Sequence, residues 1–260
     1  GDKDVVEAIC DHEDIKAVSF VGSTAIAKMV YKRASNNLKR VLALGGAKNH
    51  LILLPDAHPD MAASNIIASM SGCAGQRCMA ASALVAVGDV DHVVKKMVEV
   101  AKTLIPGENL GAIINAQSKE RIERYIHEAE LAGAKVILDG RNTVVKGKEG
   151  GFYVGATIID NVTPDMALAQ DEVFGPVIAI IRAKSVSDAI EIENSSEYGN
   201  GASVFTQSGS MAKEISEKLQ AGMIGVNIGV PVPREPFSFG GMNGSKFGVG
   251  DITGKSSIEF

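Results

Sequence analysis

Short aliphatic runs that read as buried strands alternate with longer amphipathic segments along most of the chain. The runs KAVSFVG, KRVLALGG and HLILLP are dense in valine, leucine, isoleucine and phenylalanine. Segments of helical length follow such runs, for example STAIAKMVYKRASN and SMAKEISEKLQAG. Strands separated by helices form parallel sheets, because two parallel neighbours need a long connection between them. The alternation therefore predicts an α/β fold with a parallel-rich sheet.

Composition excludes several classes of protein. The 260 residues are 45% hydrophobic and 22% charged, which is typical of a globular protein with a sizeable core. A net charge of −5 argues against a nucleic-acid backbone as the main partner. No apolar run is long enough to predict a membrane helix. Only three cysteines occur and no HExxH or paired CxxC motif, so we expect neither a disulfide framework nor a metal site.

The clearest helix lies in NAQSKERIERYIHEAELAGA. Its apolar residues Ile122, Tyr125, Ile126 and Ala129 recur at helical spacing and predict a buried stripe. The charges of KERIER are most simply a solvated face. After Pro231 the chain becomes rich in glycine and proline, which predicts little regular structure over residues 231–257.

The segment SGCAGQRCMA contains the strongest candidate for chemistry. A thiolate is a nucleophile, and the adjacent cation Arg77 predicts a Cys78 thiol held ionised in an open crevice. We therefore expect a mild thiol reagent to label Cys78 before Cys73. The alternative is that both cysteines are small core residues, since free cysteine is often buried. A cysteine hydrolase would need a distant histidine, for which His50 is the least implausible candidate.

Two further motifs are candidates for ligand binding. FVGST, residues 20–24, reads as a strand, a turn and a helix start, where backbone N–H groups and the Ser23 hydroxyl could bind a phosphate. DEVFGP, residues 171–176, could present a carboxylate to ribose hydroxyls or as a base. The alternatives are an ordinary strand–helix corner and a charged loop.

Taken together and in order, these motifs resemble the aldehyde dehydrogenase superfamily. Eight segments carry the resemblance: SFVGST (19–24), LGGAKNH (44–50), GQRC (75–78), LGAII (110–114), DEVFGPV (171–177), YGNGASVFT (198–206), AGMIGVNI (221–228) and PFSFGG (236–241). Within the superfamily, GAKNH, GQRCMA and VNIGVPVPREPFSF look most like the CoA-acylating methylmalonate-semialdehyde dehydrogenases.

The resemblance implies a role for each motif. Cys78 would be the nucleophile that attacks the aldehyde, with its own N–H helping to stabilise the oxyanion. Arg77 would bind a substrate carboxylate. The residues implied to bind NAD are Gly22, Ser23, Gly45, Glu172 and Phe174.

The sequence departs from the family pattern where hydrolytic members carry a glutamate that activates water. Ala43 and Leu44 stand at that place, and neither can act as a base. The departure fits the CoA-acylating subgroup, in which a thioester waits for coenzyme A. The implied reaction converts malonate or methylmalonate semialdehyde to acetyl-CoA or propionyl-CoA with loss of CO₂. The alternative is a non-catalytic, dehydrogenase-derived binding or assembly module.

The resemblance also predicts the organisation of the chain. We expect a partial NAD-binding domain over residues 1–44, a remnant of a Rossmann-like domain, then a catalytic α/β domain over 45–235 and a glycine-rich segment over 236–260. Family members are about twice as long, so the chain is expected to be a carboxyl-terminal half that begins inside the cofactor domain and is inactive alone. The parent protein is expected to be a homo-oligomer in the bacterial cytoplasm or the mitochondrial matrix.

Overall fold

A seven-stranded, mostly parallel sheet and a three-stranded mixed sheet organise the chain in a computed structural model that describes residues 3–260. Twelve strands are assigned in this range: β1 Ala17–Val21, β2 Arg40–Leu44, β3 Asn49–Leu53, β4 Ala81–Val87, β5 Lys135–Leu138, β6 Thr157–Asp160, β7 Val177–Ala183, β8 Tyr198–Gly199, β9 Gly201–Phe205, β10 Met223–Val226, β11 Met242–Asn243 and β12 Lys246–Gly248. The predicted start inside a cofactor domain falls on Gly1 and Asp2, which lie outside the described residues.

Helices connect most of these strands. Those within the described range are α1 Lys3–Asp11, α2 Thr24–Asn36, α3 Pro59–Ser71, α4 Asp91–Ala101, α5 Ala116–Leu131, α6 Ala167–Gln170, α7 Val186–Asn194, α8 Gly209–Lys218 and α9 Gly254–Glu259. Several begin at a side-chain cap, as where Asn115 accepts a hydrogen bond from the Ser118 N–H at the start of α5. None of the described helices is both long and apolar enough to cross a membrane.

The large sheet has seven strands in the order β10-β9-β3-β4-β7-β6-β5, and all neighbours are parallel except β5 and β6. Side chains alternate between its faces, so Leu84 and Ala86 of β4 join one apolar cluster with α3 and α4. Val85 joins a second cluster, with α7 and α8, on the other face. The central strands are apolar along their whole length because helices cover both faces of the sheet. The predicted α/β fold with a parallel-rich sheet is confirmed.

The small sheet joins the beginning of the chain to its end. β1 and β2 run parallel, and β12 pairs antiparallel with the other edge of β2. The expectation of little regular structure after Pro231 is therefore wrong for residues 242–259, which form β11, β12 and α9. Gly248 ends β12 with φ +96°, and a Cβ there would overlap the Val41 carbonyl. Only glycine permits this approach.

The chain passes from the small sheet to the large one over residues 45–48. β2 ends at Leu44 and β3 begins at Asn49. The predicted division after residue 44 lies on this connection. The predicted division at residue 235 separates β12 from β2 in sequence, although the two strands are hydrogen-bonded neighbours.

Candidate functional site

A cavity of about 660 Å³ opens at the carboxyl ends of β1 and β2. Ligand sites of α/β proteins commonly lie at that end of a parallel sheet. Its walls are Val21, Gly22, Ser23, Thr24, Ala25, Gly45, Gly46, Cys78, Arg121, Tyr125, Asp171, Glu172, Phe174 and Tyr198. Six of the seven predicted site residues are among them, although they come from four separate parts of the chain.

One wall of the cavity is the start of α2. Ser23 precedes the helix in extended conformation, and its side chain makes no capping hydrogen bond within the described residues. Thr24 instead links the wall to its surroundings, because its hydroxyl accepts from the Gly46 N–H at 2.9 Å and donates to the Gly244 carbonyl at 3.1 Å. The first-turn N–H groups and the free Ser23 hydroxyl can therefore donate to an anion such as a phosphate.

Two glycines bring backbone to the cavity wall. A Cβ at Gly45 would lie 2.8 Å from the Thr24 hydroxyl, and one at Gly46 would lie 2.6 Å from Glu172 Oε2. Both distances are too short for a real side chain. The LGG turn thus lets Thr24 and Glu172 approach the backbone more closely than any larger residue would allow.

Glu172 lies opposite this turn. Its Oε1 accepts a hydrogen bond from the Ala47 N–H at 3.2 Å. Burial raises the pKa of the Glu172 carboxyl, and the Ala47 N–H together with the Lys48 and Arg121 charges only partly offsets this. Phe174 lies nearby with φ +55°, a left-handed conformation that is strained for a phenylalanine. The carboxylate can accept from hydroxyl groups of a ligand in the cavity.

Cys78 lies at the base of the cavity and is half-buried. Its carbonyl accepts hydrogen bonds from Asn49 Nδ2 at 2.8 Å and Asn200 Nδ2 at 3.0 Å, which fix the backbone. Burial raises the pKa of the thiol, and the charge of Glu172 raises it further. The N–H groups of Cys78 and Met79 and the Arg77 charge oppose the rise but do not cancel it.

The expectation of an ionised thiolate at Cys78 is therefore wrong for the protein alone. Sequence adjacency suggested that Arg77 would dominate, but desolvation is the larger effect. Cys73 is exposed and Cys10 is buried in the cluster beneath the small sheet. The raised pKa gives no reason for a mild thiol reagent to label Cys78 before Cys73.

Arg77 is the predicted site residue that lies outside the cavity. Its guanidinium donates to the carbonyls of Ala68 at 3.1 Å and Ser69 at 3.0 Å, near the end of α3. The Ser69 hydroxyl in turn donates to the Gly229 carbonyl at 2.6 Å. The Arg77 guanidinium is therefore bonded to the end of α3, while the residue also lines a small separate cavity with Cys78 and Glu172. Its binding of a carboxylate stays a prediction.

Two residues of α5 also line the cavity, although the sequence analysis did not assign them to the site. Tyr125 donates its hydroxyl to Asp171 Oδ2 at 2.8 Å, and Arg121 donates to the Val173 carbonyl at 3.3 Å. The Nε of Arg121 is buried and has no partner among the described residues. The expectation of a solvated face is thus wrong for Arg121, although Arg124 is exposed. The available signal was the i, i+4 spacing of the two residues, which puts them on one side of the helix.

The hydrolase alternative is not supported by the position of His50. This residue lines a second cavity of about 330 Å³, and burial lowers its pKa to about 4. Among residues 3–260, no histidine lines the cavity of Cys78, and no cluster of His, Cys, Asp and Glu is arranged to hold a metal ion.

Comparison with known proteins identifies the family. The aldehyde dehydrogenase family model matches residues 1–260, so the chain belongs to the aldehyde dehydrogenase family. It is 44% identical over 268 residues to malonate-semialdehyde dehydrogenase 2 of Geobacillus thermodenitrificans, covering 100% of this chain and 55% of that protein. The chain therefore spans about half the length of the curated relatives it matches.

Solved structures agree. The crystal structure of a methylmalonate-semialdehyde dehydrogenase from Oceanimonas doudoroffii is similar with TM-score 0.97 and 44% identity, over 99% of this chain and 55% of that one. A protein of Sinorhizobium meliloti, described as a methylmalonate-semialdehyde dehydrogenase complexed with NAD, has TM-score 0.97 and 40% identity over 100% of this chain and 54% of that one. The resemblance stated from the motifs is confirmed.

Proposed function

We propose that the chain carries the catalytic cysteine of an NAD-dependent, CoA-acylating semialdehyde dehydrogenase. The single observation behind this is the common cavity, in which Cys78 faces a helix start, a glycine turn and the Glu172 carboxylate. The names of the relatives point to malonate or methylmalonate semialdehyde as the substrate. The products would be acetyl-CoA or propionyl-CoA.

The residues of the cavity fit a dinucleotide. The start of α2 with the uncapped Ser23 offers N–H and hydroxyl donors to a phosphate. Gly22 and Gly45 leave room for it, Glu172 can accept from a ribose, and Phe174 adds an apolar surface. A volume of about 660 Å³ is in the range of cofactor sites. The chemistry that NAD supplies is acceptance of a hydride from the carbon attached to sulfur.

Cys78 would act in two stages. Its sulfur attacks the aldehyde carbon, the thiol proton passes to water in the open cavity, and the carbonyl π electrons move to the oxygen. The N–H of Cys78 would stabilise the oxyanion. Loss of hydride from this adduct leaves a thioester on Cys78. The substrate carboxylate then leaves as CO₂, and the carbanion that remains takes up a proton. In this proposal Arg77 turns from α3 to bind the substrate carboxylate, for which its forked guanidinium is suited.

The fate of the thioester follows from β2. Ala43 and Leu44 are buried in the strand and offer no base to activate water. The thioester therefore persists until the thiol of coenzyme A attacks it, which returns Cys78 as a thiol. Without a base at this position, hydrolysis is slow compared with transfer to coenzyme A.

The test is NADH formation by the full gene product with malonate semialdehyde, NAD and coenzyme A. We expect NADH and acetyl-CoA in equal amounts, and neither from Cys78→Ser, whereas Cys73→Ser stays active. NADH formation by Cys78→Ser, or a folded protein that binds NAD but oxidises no semialdehyde, would contradict the proposal. The second outcome would favour the alternative of a non-catalytic binding or assembly module.

A further inference from the structure

The segment that carries Glu172 and Phe174 has little secondary structure of its own. It follows the single turn of α6 and precedes β7, and it contains one residue in the left-handed conformation. Side chains from two other elements supply several of the hydrogen bonds that fix it. Its position in the cavity therefore depends on those side chains.

The first of them is Lys48, in the connection between β2 and β3. Lys48 is buried, and its ammonium donates to the Leu168 carbonyl at 2.7 Å and the Asp171 carbonyl at 2.9 Å. These two carbonyls lie at the beginning and just beyond the end of the α6 turn. Lys48 thus links the residues that precede Glu172 to the connection between β2 and β3. The same connection binds the Glu172 carboxylate through the Ala47 N–H.

The second is Tyr125 on α5, which reaches the same residue from the opposite side. Its hydroxyl donates to the Asp171 carboxylate at 2.8 Å. Asp171 is therefore bound through its backbone by Lys48 and through its side chain by Tyr125. Glu172 is the next residue, so its direction follows from the position of Asp171.

We propose that Lys48 and Tyr125 are positioning residues that fix Asp171 and thereby direct Glu172 into the cavity beside Cys78. The inference deepens the proposed function, because there Glu172 is the residue that accepts from the cofactor. Neither Lys48 nor Tyr125 needs to touch a ligand for this role.

The thiol of Cys78 can report on the position of Glu172 without any cofactor. The charged groups that act on the thiol are Glu172, which raises its pKa, and Arg77, which lowers it. Asp171 and Arg121 also line the cavity, together with the hydroxyls of Tyr125 and Tyr198. If Glu172 moves away, the pKa of Cys78 falls and more thiolate is present at a given pH.

The experiment measures the alkylation rate of Cys78 by iodoacetamide, peptide by peptide, across the pH range in which thiols ionise. Removing the charge with Glu172→Gln is expected to raise the rate at about pH 8 by up to about fivefold. Tyr125→Phe should raise it by a smaller factor. The double variant should be no faster than Glu172→Gln, because the tyrosine acts only through Glu172.

Matched variants separate positioning from general loss of structure. Asp171→Asn keeps an acceptor for the tyrosine and should behave as the wild type, whereas Asp171→Ala should follow Tyr125→Phe. Tyr31→Phe, a tyrosine on α2 outside the cavity, should leave the rate unchanged. Lys48→Met is measured in the same way after its folding has been checked by urea denaturation.

A Tyr125→Phe rate equal to that of the wild type would overturn the proposal. So would a double variant whose rate is the product of the two single effects, since the tyrosine would then act independently of Glu172. The assay uses neither NAD nor an aldehyde. A protein that fails to oxidise semialdehydes would therefore refute the proposed function and still leave this test decisive.

Discussion

Gly75 and Gly175 meet backbone to backbone beside the cavity. Gly75 has φ +71°, and a Cβ on it would overlap the Gly175 carbonyl group. Both glycines follow residues in the left-handed region, Ala74 at φ 53° and Phe174 at φ 55°. The turn before Cys78 and the turn after Glu172 are thus held against each other, which sets the distance between two walls of the site.

This contact predicts that Gly75→Ala destabilises the protein. The added methyl group has no free space and occupies an unfavourable φ, so we expect a loss of about 2 kcal/mol or more in the free energy of unfolding. Urea denaturation measures it. Gly111→Ala is the matched control, since a Cβ at Gly111 meets no atom within 4 Å. Equal stability of the two variants would mean that the turns do not touch as described.

The three thiols should react in an order set by exposure and pKa. Cys73 is exposed, Cys78 is half-buried with a raised pKa, and Cys10 is buried. We expect iodoacetamide to label Cys73 first, Cys78 more slowly, and Cys10 roughly tenfold more slowly again, because opening must precede its reaction. Raising the pH should accelerate Cys78 as its thiolate forms. Labelling of Cys78 ahead of Cys73 at about pH 7 would show a lowered pKa and contradict the burial described.

Asn49 should matter because its side chain makes three hydrogen bonds to two segments near Cys78. Its Nδ2 donates to the carbonyls of Cys78 and Ala80, both at 2.8 Å, and its Oδ1 accepts from the Gly201 N–H at 3.1 Å. Asn49→Ala removes these bonds from the Ala80 carbonyl and the Gly201 N–H, while the Cys78 carbonyl keeps its bond from Asn200, and we expect a loss of about 2–3 kcal/mol in the free energy of unfolding.

The control for Asn49 is Asn36→Ala, on the exposed last turn of α2. A change within about 0.5 kcal/mol is expected there. Thermal or urea denaturation compares the two. If Asn49→Ala were as stable as Asn36→Ala, the carbonyl of Cys78 would need another support, and the arrangement of the 78–80 backbone would have to be revised.

The α/β class and most elements could be predicted from the sequence because their patterns are local. The apolar run of β3 and the helical spacing of Ile122, Ile126 and Ala129 each fit in one short window. Six of the residues predicted for the site also line one cavity, and they could be named from the sequence because their motifs are short and lie at strand and helix ends. The small strand β12 was missed because its three residues, KFG, lie in a glycine-rich stretch and are too few to show a periodicity.

The pKa of Cys78 could not be predicted from a short window of sequence in the same way. The pKa of Cys78 depends on how much of its surroundings is protein, and the neighbour Glu172 lies 94 residues away in the chain. Arg77 seemed decisive because it is adjacent in sequence, yet its guanidinium binds α3. Arg121 was assigned to a solvated face and Tyr125 to a core stripe. Their place in the cavity could not be predicted, because only the packed fold brings residues 171–174 against α5.

Lys48 should make stability depend on pH. Burial lowers its pKa from 10.5 to about 8, despite the Asp171 and Glu172 charges nearby. Between these two values the unfolded chain binds a proton that the folded protein releases, so the free energy of unfolding rises with pH. The rise amounts to up to about 3 kcal/mol, is absent below about pH 8 and is complete above about pH 10.5. A neutral amine keeps two hydrogens, enough for the Leu168 and Asp171 carbonyls.

The measurement is the difference in the free energy of unfolding between the wild type and Lys48→Met, followed by urea denaturation across this pH range. Subtracting the variant removes the titration of all other groups, so the difference should grow in favour of the wild type as the pH rises. The exposed Lys213, replaced by methionine in the same way, should give a constant difference. A constant difference for Lys48 as well would mean that burial does not lower the pKa of its ammonium in the folded protein.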